Sequence, residues 1–262
     1  MTPTFPLVAT AVNFQLPVRR LWKPAQELLL TPSGTWYMRT LPTGEYYEWH
    51  LQFAGLTWEE TQALITFHTD MMGAYHCFRF CDPLRNLLAW SEDQTQSVWA
   101  TSSNLIVSLF PSPTADVMQG AQIVNQSNTE GLISQSVGCA PTFPYSIATT
   151  VRSSRGGAIG LLIGSQRRDF TLGTTWQTMT FSAVPGGTID QVTFTLALPA
   201  GGECELAGVQ ADFGAVIPEY KRSEERQGLF TKARFKHDEL IVSCTEAGLF
   251  SAVVTVIASA EE

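Results

Sequence analysis

Leu249-Phe250-Ser251-Ala252-Val253-Val254-Thr255-Val256-Ile257-Ala258, close to the carboxyl end of the chain, is the stretch on which the architecture turns. Its β-branched composition predicts a strand. Alternation then puts Phe250, Ala252, Val254 and Val256 on one side and Leu249, Val253 and Ile257 on the other. A strand apolar on both sides is expected to need two covers. Leu240 to Cys244 is a second apolar strand, joined to the first through Thr245 to Gly248. The pair is expected to return to strands near the amino end and complete a domain made from both termini.

The amino-terminal partner is legible. Leu7 to Leu56 reads as extended pieces broken by turns at Pro32 to Gly34 and Pro42 to Gly44, giving strands over Thr35 to Leu41 and Glu45 to Phe53. In the second of these, Tyr47, Trp49, Leu51 and Phe53 share one parity, so one face is aromatic and must be covered. The cover is a helix predicted over Trp58 to Met72. Thr57 and Glu60 form a capping box at its start, and Gly73 supplies a left-handed stop. Thr61, Leu64, Ile65, His68, Met71 and Met72 recur at helical spacing, with Phe67 beside them. Tyr75 to Pro83 then reads as a strand with Tyr75, Cys77, Arg79 and Cys81 on one face and His76, Phe78 and Phe80 on the other, ended by Pro83.

From about Trp90 to Tyr220 the texture changes to Ser, Thr, Gly and Gln with no helical periodicity. Strands are expected at Asn104 to Phe110, Tyr145 to Val151, Ala158 to Ile163, Arg168 to Leu172, Gln177 to Ala183, Gln191 to Leu198 and Glu203 to Phe213. Short, evenly spaced strands of this kind make a sandwich or jelly roll. The fold class expected is therefore mainly β: a discontinuous β domain with one helix, over residues 1–95 and 221–262, plus an inserted jelly-roll sandwich over 96–220.

Bulk composition narrows the function classes. Of 262 residues, 44% are hydrophobic and only 15% charged, which fits a folded chain that exposes uncharged polar groups, as β-rich chains and members of large assemblies do. A net charge of −8 and a pI near 5.0 oppose attraction to a phosphate backbone, so nucleic acid is not expected as a partner. The basic spots at Arg19 and Arg20, Arg167 and Arg168, and Lys221 to Arg226 are short. Five scattered cysteines point to reduced thiols and synthesis in a cytoplasm. Neither a leader nor a bilayer-spanning run is read, and no membrane insertion is expected.

Two resemblances add to this reading. Phe53-Ala54-Gly55-Leu56-Thr57-Trp58-Glu59-Glu60, the helix to Phe67-His68, and Phe78-Arg79-Phe80-Cys81-Asp82-Pro83 resemble small phage tail and baseplate proteins. There, a Thr-x-Glu-Glu helix precedes a Phe-Arg-Phe, Asp-Pro strand. The likeness covers Phe5 to Asp82 and Arg234 to Ala258. Tyr145 to Ser153, Thr175 to Phe181 and Leu206 to Gly214 with Pro218-Glu219-Tyr220 resemble the jelly rolls of phage tail proteins and carbohydrate-binding modules. Ala207 stands where that family's closing strand has tryptophan, and Asp212 where it has glutamate. Distal tail proteins of long-tailed phages join a tube-docking β domain to a peripheral sandwich. The resemblance therefore implies a homo-oligomeric ring, most often a hexamer, in the virion tail tip between the tail tube protein and the baseplate hub protein, with host cell-surface polysaccharide as a further partner.

His76, Cys77, Cys81 and Asp82 are metal-ligating types, but alternation splits His76 from Cys77. Four residues of extended chain also separate Cys77 and Cys81 by about 13 Å, so core thiols are expected and no metal or other cofactor. No Gly-x-Ser-x-Gly elbow occurs, and the Gly-rich pairs Gly156-Gly157 and Gly186-Gly187 fall between strands rather than before a helix. Glu203, Glu205 and Asp212 are carboxylates of glycosidase type, yet exposed acids on a sandwich are usually solvated, so catalytic residues are not expected. Sugar binding needs aromatic faces and planar polar side chains, which selects Tyr145, Arg152, Arg155, Trp176 and Gln177. A non-enzymatic tail-tip component is the expectation. A free carbohydrate-binding module and a polysaccharide-degrading enzyme are the rivals.

Overall fold

The computed structural model describes residues 2–8, 15–30, 32–34, 36–40, 44–114 and 116–261. In chain order the elements are β1 (Gln15–Lys23), β2 (Gln26–Leu30), β3 (Trp36–Thr40), β4 (Tyr46–Leu56), α1 (Trp58–Asp70) and β5 (Phe78–Cys81). Next come β6 (Ala100–Thr101), β7 (Leu105–Thr114), β8 (Val117–Asn125), β9 (Gly131–Val137), β10 (Tyr145–Arg152) and β11 (Gly157–Ile163). The remainder are β12 (Gln166–Leu172), β13 (Gln177–Ala183), β14 (Val192–Leu198), β15 (Glu203–Phe213), β16 (Leu229–Phe235), β17 (Ile241–Glu246) and β18 (Leu249–Ser259). The chain divides into two compact units, residues 1–80 with 230–262, and residues 81–229.

In the first unit the strand order is β1-β4-β18-β16-β5, with β17 also paired to β18. The last strand runs antiparallel to β4 from Phe250 opposite Leu56 to Ser259 opposite Tyr46. The two chain ends thus share one sheet. Trp49, Leu51 and Phe53 are buried, as their parity requires. The indole of Trp49 meets Phe80 and Phe230 edge-on, with centroids 5.1 and 4.9 Å away, a geometry that aromatic quadrupoles favour. Residues 3–5 seal β5: Phe5 N donates to Arg79 O at 2.9 Å, and Arg79 N to Pro3 O at 2.8 Å.

The capping box forms as read from the sequence. Thr57 N donates to the Glu60 carboxylate at 2.9 Å and Glu60 N to the Thr57 hydroxyl at 3.3 Å. Thr61, Leu64 and His68 are the buried helix residues. The helix ends two residues earlier than expected, because Met72 and Gly73 both take positive φ, 52° and 62°. A side chain at Gly73 would lie 2.9 Å from the Asp238 backbone, so glycine is required there on two counts.

Three expectations for this unit are corrected. Residues 75–77 are turn and bend, so the strand is only Phe78–Cys81. The final strand is buried on one face alone: Ala252, Val254 and Val256 are covered, whereas Val253 is 48% exposed. Among the described residues the unit supplies one covering layer, α1 with the amino-terminal segment. β16, missed within a charged stretch, is a strand whose Thr231, Lys232 and Arg234 face solvent while Phe230, Ala233 and Phe235 enter the core. The expected turn at Pro42-Thr43, with Thr35 and Leu41, lies outside the described residues.

The second unit is a sandwich of two antiparallel five-stranded sheets, β13-β10-β15-β8-β7 and β12-β11-β14-β9-β6. Ile147, Val151, Leu206 and Val209 from one sheet and Ile159, Leu161, Phe194 and Leu196 from the other fill the interior. β8 and β9 escaped the sequence reading because Gly, Gln, Asn and Ser interrupt their apolar alternation. Val117, Ala121 and Ile123, then Ile133 and Val137, nonetheless point inward.

The unit boundaries at 80/81 and 229/230 differ from the expected 95 and 221. The cause lies at the edge of β15 that faces away from β10. Its ladder to β8 covers only Glu203 to Leu206. Beyond this, Leu87 N donates to Ala211 O and Val209 N to Ser91 O, each at 2.9 Å, while fully buried Asn86 accepts from Leu88 N and Ala211 N at 3.0 Å and donates to Val209 O at 2.8 Å. Buried backbone groups must be paired, so residues 86–91 belong to the sandwich. The returning leg zips to this outgoing one. Asp82 N donates to Gly228 O and Trp90 N to Glu224 O, both at 2.7 Å. Ser91 bonds the Tyr220 hydroxyl at 2.8 Å and accepts from Ser223 N at 2.9 Å.

Candidate functional site

The outer face of the β13-β10-β15-β8-β7 sheet gathers most of the sugar-binding candidates. Arg152 ends β10 directly opposite Glu205 on β15. Its Nε and Nη2 both lie 2.7 Å from Glu205 Oε2, and its guanidinium sits 4.6 Å from the centroid of the Trp176 ring. Trp176 is half-buried rather than enclosed in the core. It lies under an arginine, a favourable stacking geometry. Gln177 opens β13 opposite Val151, exposed, with its amide filling the space beside Gly173. Arg155 lies in the following turn with Nε 3.4 Å from Glu203, which also accepts from Ser154 Oγ at 2.5 Å.

Tyr145 does not join them and is withdrawn as a contact residue. It is fully buried, its hydroxyl donates to Ala140 O at 2.8 Å, and its ring packs on Phe213 and Phe194 at 5.3 and 6.1 Å. The sequence carried the signal: Tyr145 and Arg152 are an odd number of residues apart on one strand, so they face opposite ways.

The same face carries a groove that residue types alone did not reveal. Its volume is about 370 Å³, with Ala148, Thr150, Thr178, Gly208 and Gln210 beneath and Asp116 and residues 217–220 at the sides. Thr150 and Thr178 hydroxyls lie 2.9 Å apart, one alternation step from Arg152 and Trp176, so the groove and the arginine cluster are continuous. A β-bulge shapes the floor. Thr149 pairs with Val209 but Val151 with Leu206, leaving Ala207 and Gly208 opposite Thr150. Gly208 has φ +85°, and an added Cβ would lie 2.6 Å from the Tyr220 ring.

The three carboxylates of glycosidase type are each engaged by a neighbour. Glu205 is held by Arg152 and Glu203 by Ser154 and Arg155. Asp212 is buried and clamped between Lys221 Nζ and the Gln210 amide. Burial raises its pKa despite the opposing pull of Lys221. Of the two thiols expected in the core, Cys81 is buried and Cys77 only half-buried; burial pushes Cys81 well above the usual thiol range and Cys204 up to about 12, while Cys244 is exposed. All five cysteines are free. Among the described residues, no cluster of three or more His, Cys, Asp or Glu is placed to hold a metal, and no helix is long and apolar enough to cross a membrane.

No family model matches the chain, and no curated protein matches it. Among solved structures it is similar to the enzymatically active domain of tailspike protein 4 from bacteriophage CBA120, with TM-score 0.42, 9% identity, and coverage of 51% of this chain. The chain spans 22% of that tailspike domain. It is similar also to a xylan-binding domain of a xylanase from Paenibacillus barcinonensis (TM-score 0.41, 12% identity, 52% of this chain and 99% of that one). A third is the carbohydrate-binding module TmCBM61 bound to β-1,4-galactotriose (TM-score 0.38, 14% identity, 49% and 99%). The neighbours thus include a phage tailspike domain and carbohydrate-binding modules.

Proposed function

We propose that this protein is a non-enzymatic structural component of a phage or phage-like tail tip. In this reading the first unit assembles into a ring between tail tube and baseplate hub, and the sandwich offers its outer face to host-surface glycans. The observation that carries the reading is the register of β18 against β4 from Phe250–Leu56 to Ser259–Tyr46. Together with the capped helix and the Phe78–Cys81 strand, it gives the parent domain the order of elements that the resemblance to distal tail proteins implies. The sandwich then leaves and returns on paired legs, as a displayed module would. Glycan contact is supported by the groove running on to Arg152 and Trp176, a face of hydroxyl and planar polar groups with one aromatic ring.

Electron microscopy of the purified protein tests the assembly role: closed rings or tube-end complexes are expected, and persistent monomers at high concentration would favour a free carbohydrate-binding module instead. A glycan array tests the face, with binding expected for the wild type and lost in Trp176→Ala. Equal retention by both proteins would remove that face from the reading. Hydrolysis of host envelope polysaccharide that disappears in Asp212→Ala would make the protein an enzyme.

A further inference from the structure

The sheet of the first unit packs its helix against one side, and its other side is basic. Alternation places Leu21, Glu48 and Ile257 together on the side away from Trp49, since Glu48 pairs with Leu21 in β1 and with Ile257 in β18. Arg19 and Lys23 on β1 share that side, as do Lys232, Arg234 and Lys236 along β16 and just beyond it. Across β1, β4, β18 and β16, five cations therefore stand against one carboxylate, a net +4 in a chain of −8. The carboxylate is that of Glu48, which is buried: both its oxygens lie 2.9 Å from Lys236 Nζ, and His50 Nε2 is 2.9 Å from Oε1. Arg19, Lys232 and Arg234 are exposed, and Val253 and Ile241 stand among the cations at 48% and 62% exposure. Glu246 lies off this area, at the far turn of the β17–β18 hairpin.

The helix side of the same unit carries the opposite sign. Residues 57–78, which hold α1 and the turn after it, contain Glu59, Glu60 and Asp70 and neither Lys nor Arg. Asp238 joins them at the helix end, where it accepts from Ala74 N at 3.0 Å. The two histidines of this stretch, His68 and His76, pack on Phe235 and Tyr75. Because the helix turns Thr61, Leu64 and His68 inward, Glu59 and Asp70 face solvent. Trp58, Met72 and Tyr75 are exposed in the same stretch, at 55%, 63% and 69%. Aromatic and Met side chains are the types that interfaces favour.

We infer that the basic sheet face of one copy receives the acidic α1 face of a second copy, so that copies join head to tail and each sheet gains a second covering layer. This rests on the assembling role proposed above and names the two surfaces through which it acts. An interface that pairs two different surfaces of the same chain is heterologous, and such contacts close into rings when the rotation permits. Charge selects this pairing, because sheet against sheet or helix against helix would bring like signs together.

The test exchanges charges at exposed positions of the full-length protein. One variant carries Lys232→Glu with Arg234→Glu, and the other Glu59→Lys with Asp70→Lys. Analytical ultracentrifugation of the wild type should show self-association that weakens as salt rises from about 0.05 to 0.5 M, since screening acts on exposed charges. Each variant alone should associate more weakly by roughly tenfold or more, because its two faces now share a sign. Mixed in equal amounts, the two should recover association to within about threefold of wild type, since every sheet then meets a helix of opposite sign. Misfolded variants could not do this. Association indifferent to salt, either variant alone at wild-type strength, or a mixture as weak as its components overturns this docking and leaves assembly through other surfaces standing. A wild type that never self-associates overturns both.

Discussion

The two units enclose their cores differently: one packs sheet on sheet, the other covers a single sheet with α1 and the amino-terminal segment. The sandwich closes on itself: two sheets share one interior, the open length of β15 is covered by residues 86–91, and its outer face carries threonines and Arg–Glu pairs. The first unit covers one side of its sheet and leaves Trp36, Met38, Ile241 and Val253 facing solvent. The sandwich also exposes Met118, Ile189 and Val216, so the difference is one of placement: in the first unit exposed apolar side chains gather on the β2–β3 hairpin. The contrast teaches that a core can be closed either by a second sheet or by one helix and a terminal segment, and that only the first arrangement encloses its sheet on the inner face of a partner sheet.

The largest effect expected concerns where the finished unit begins. A fragment of residues 81–229 should fold cooperatively, whereas 96–220 should not, because it lacks Asn86 and the segment that pairs with Val209 and Ala211. Circular dichroism and amide exchange check this; equal protection in both fragments would show that the outgoing leg is dispensable. Next in size, Trp49→Ala should cost about 3–5 kcal/mol in denaturant unfolding, as large aromatic truncations in cores do. Trp36→Ala on the hairpin should shift monomer stability by no more than about 0.5 kcal/mol. Comparable losses for both would mean that the hairpin is already packed.

Much of this contrast was legible from residue order, and the rest was hidden for physical reasons. The capping box at Thr57 and Glu60 and the parity of Trp49, Leu51 and Phe53 depend on local spacing alone, so they were read correctly. β16 escapes a reading by pattern because Thr231, Lys232 and Arg234 on its solvent face interrupt the apolar positions. Residues 86–91 gave no strand signal since their role is set by a distant gap in β15. At the candidate site, Arg152, Trp176 and Gln177 were found by residue type, while the groove depends on a bulge at Ala207 and Gly208 that no periodicity announces.

A smaller effect tests that bulge. Gly208→Ala should destabilise by roughly 1–3 kcal/mol, because a side chain would be strained at positive φ and would strike Tyr220. Stability unchanged within about 0.5 kcal/mol would mean the floor can rearrange.

The smallest expected difference is one of sign in the pH dependence of the two units. Glu48, in the first unit, is buried, which works against its charge, but Lys236 wins and holds its carboxyl below the usual glutamate range. Its contribution is therefore complete above the unfolded pKa of about 4.3 and is lost as pH falls through the lower folded value. Asp212 in the sandwich is shifted the other way by burial. Its contribution is present below the unfolded pKa and is lost as pH rises through the raised folded value. Urea unfolding between about pH 3.5 and 7 should show the advantage of wild type over Glu48→Gln growing with pH and that over Asp212→Asn shrinking. Slopes of the same sign would remove this distinction.

The legs that join at Asp82 and Gly228 carry a wider meaning. When a guest segment starts and finishes a single hydrogen bond apart, it can be cut out at two neighbouring points and replaced by another with similarly placed ends. Such a segment is exchangeable, as an instrument takes interchangeable heads, while the first unit keeps every strand it is built on.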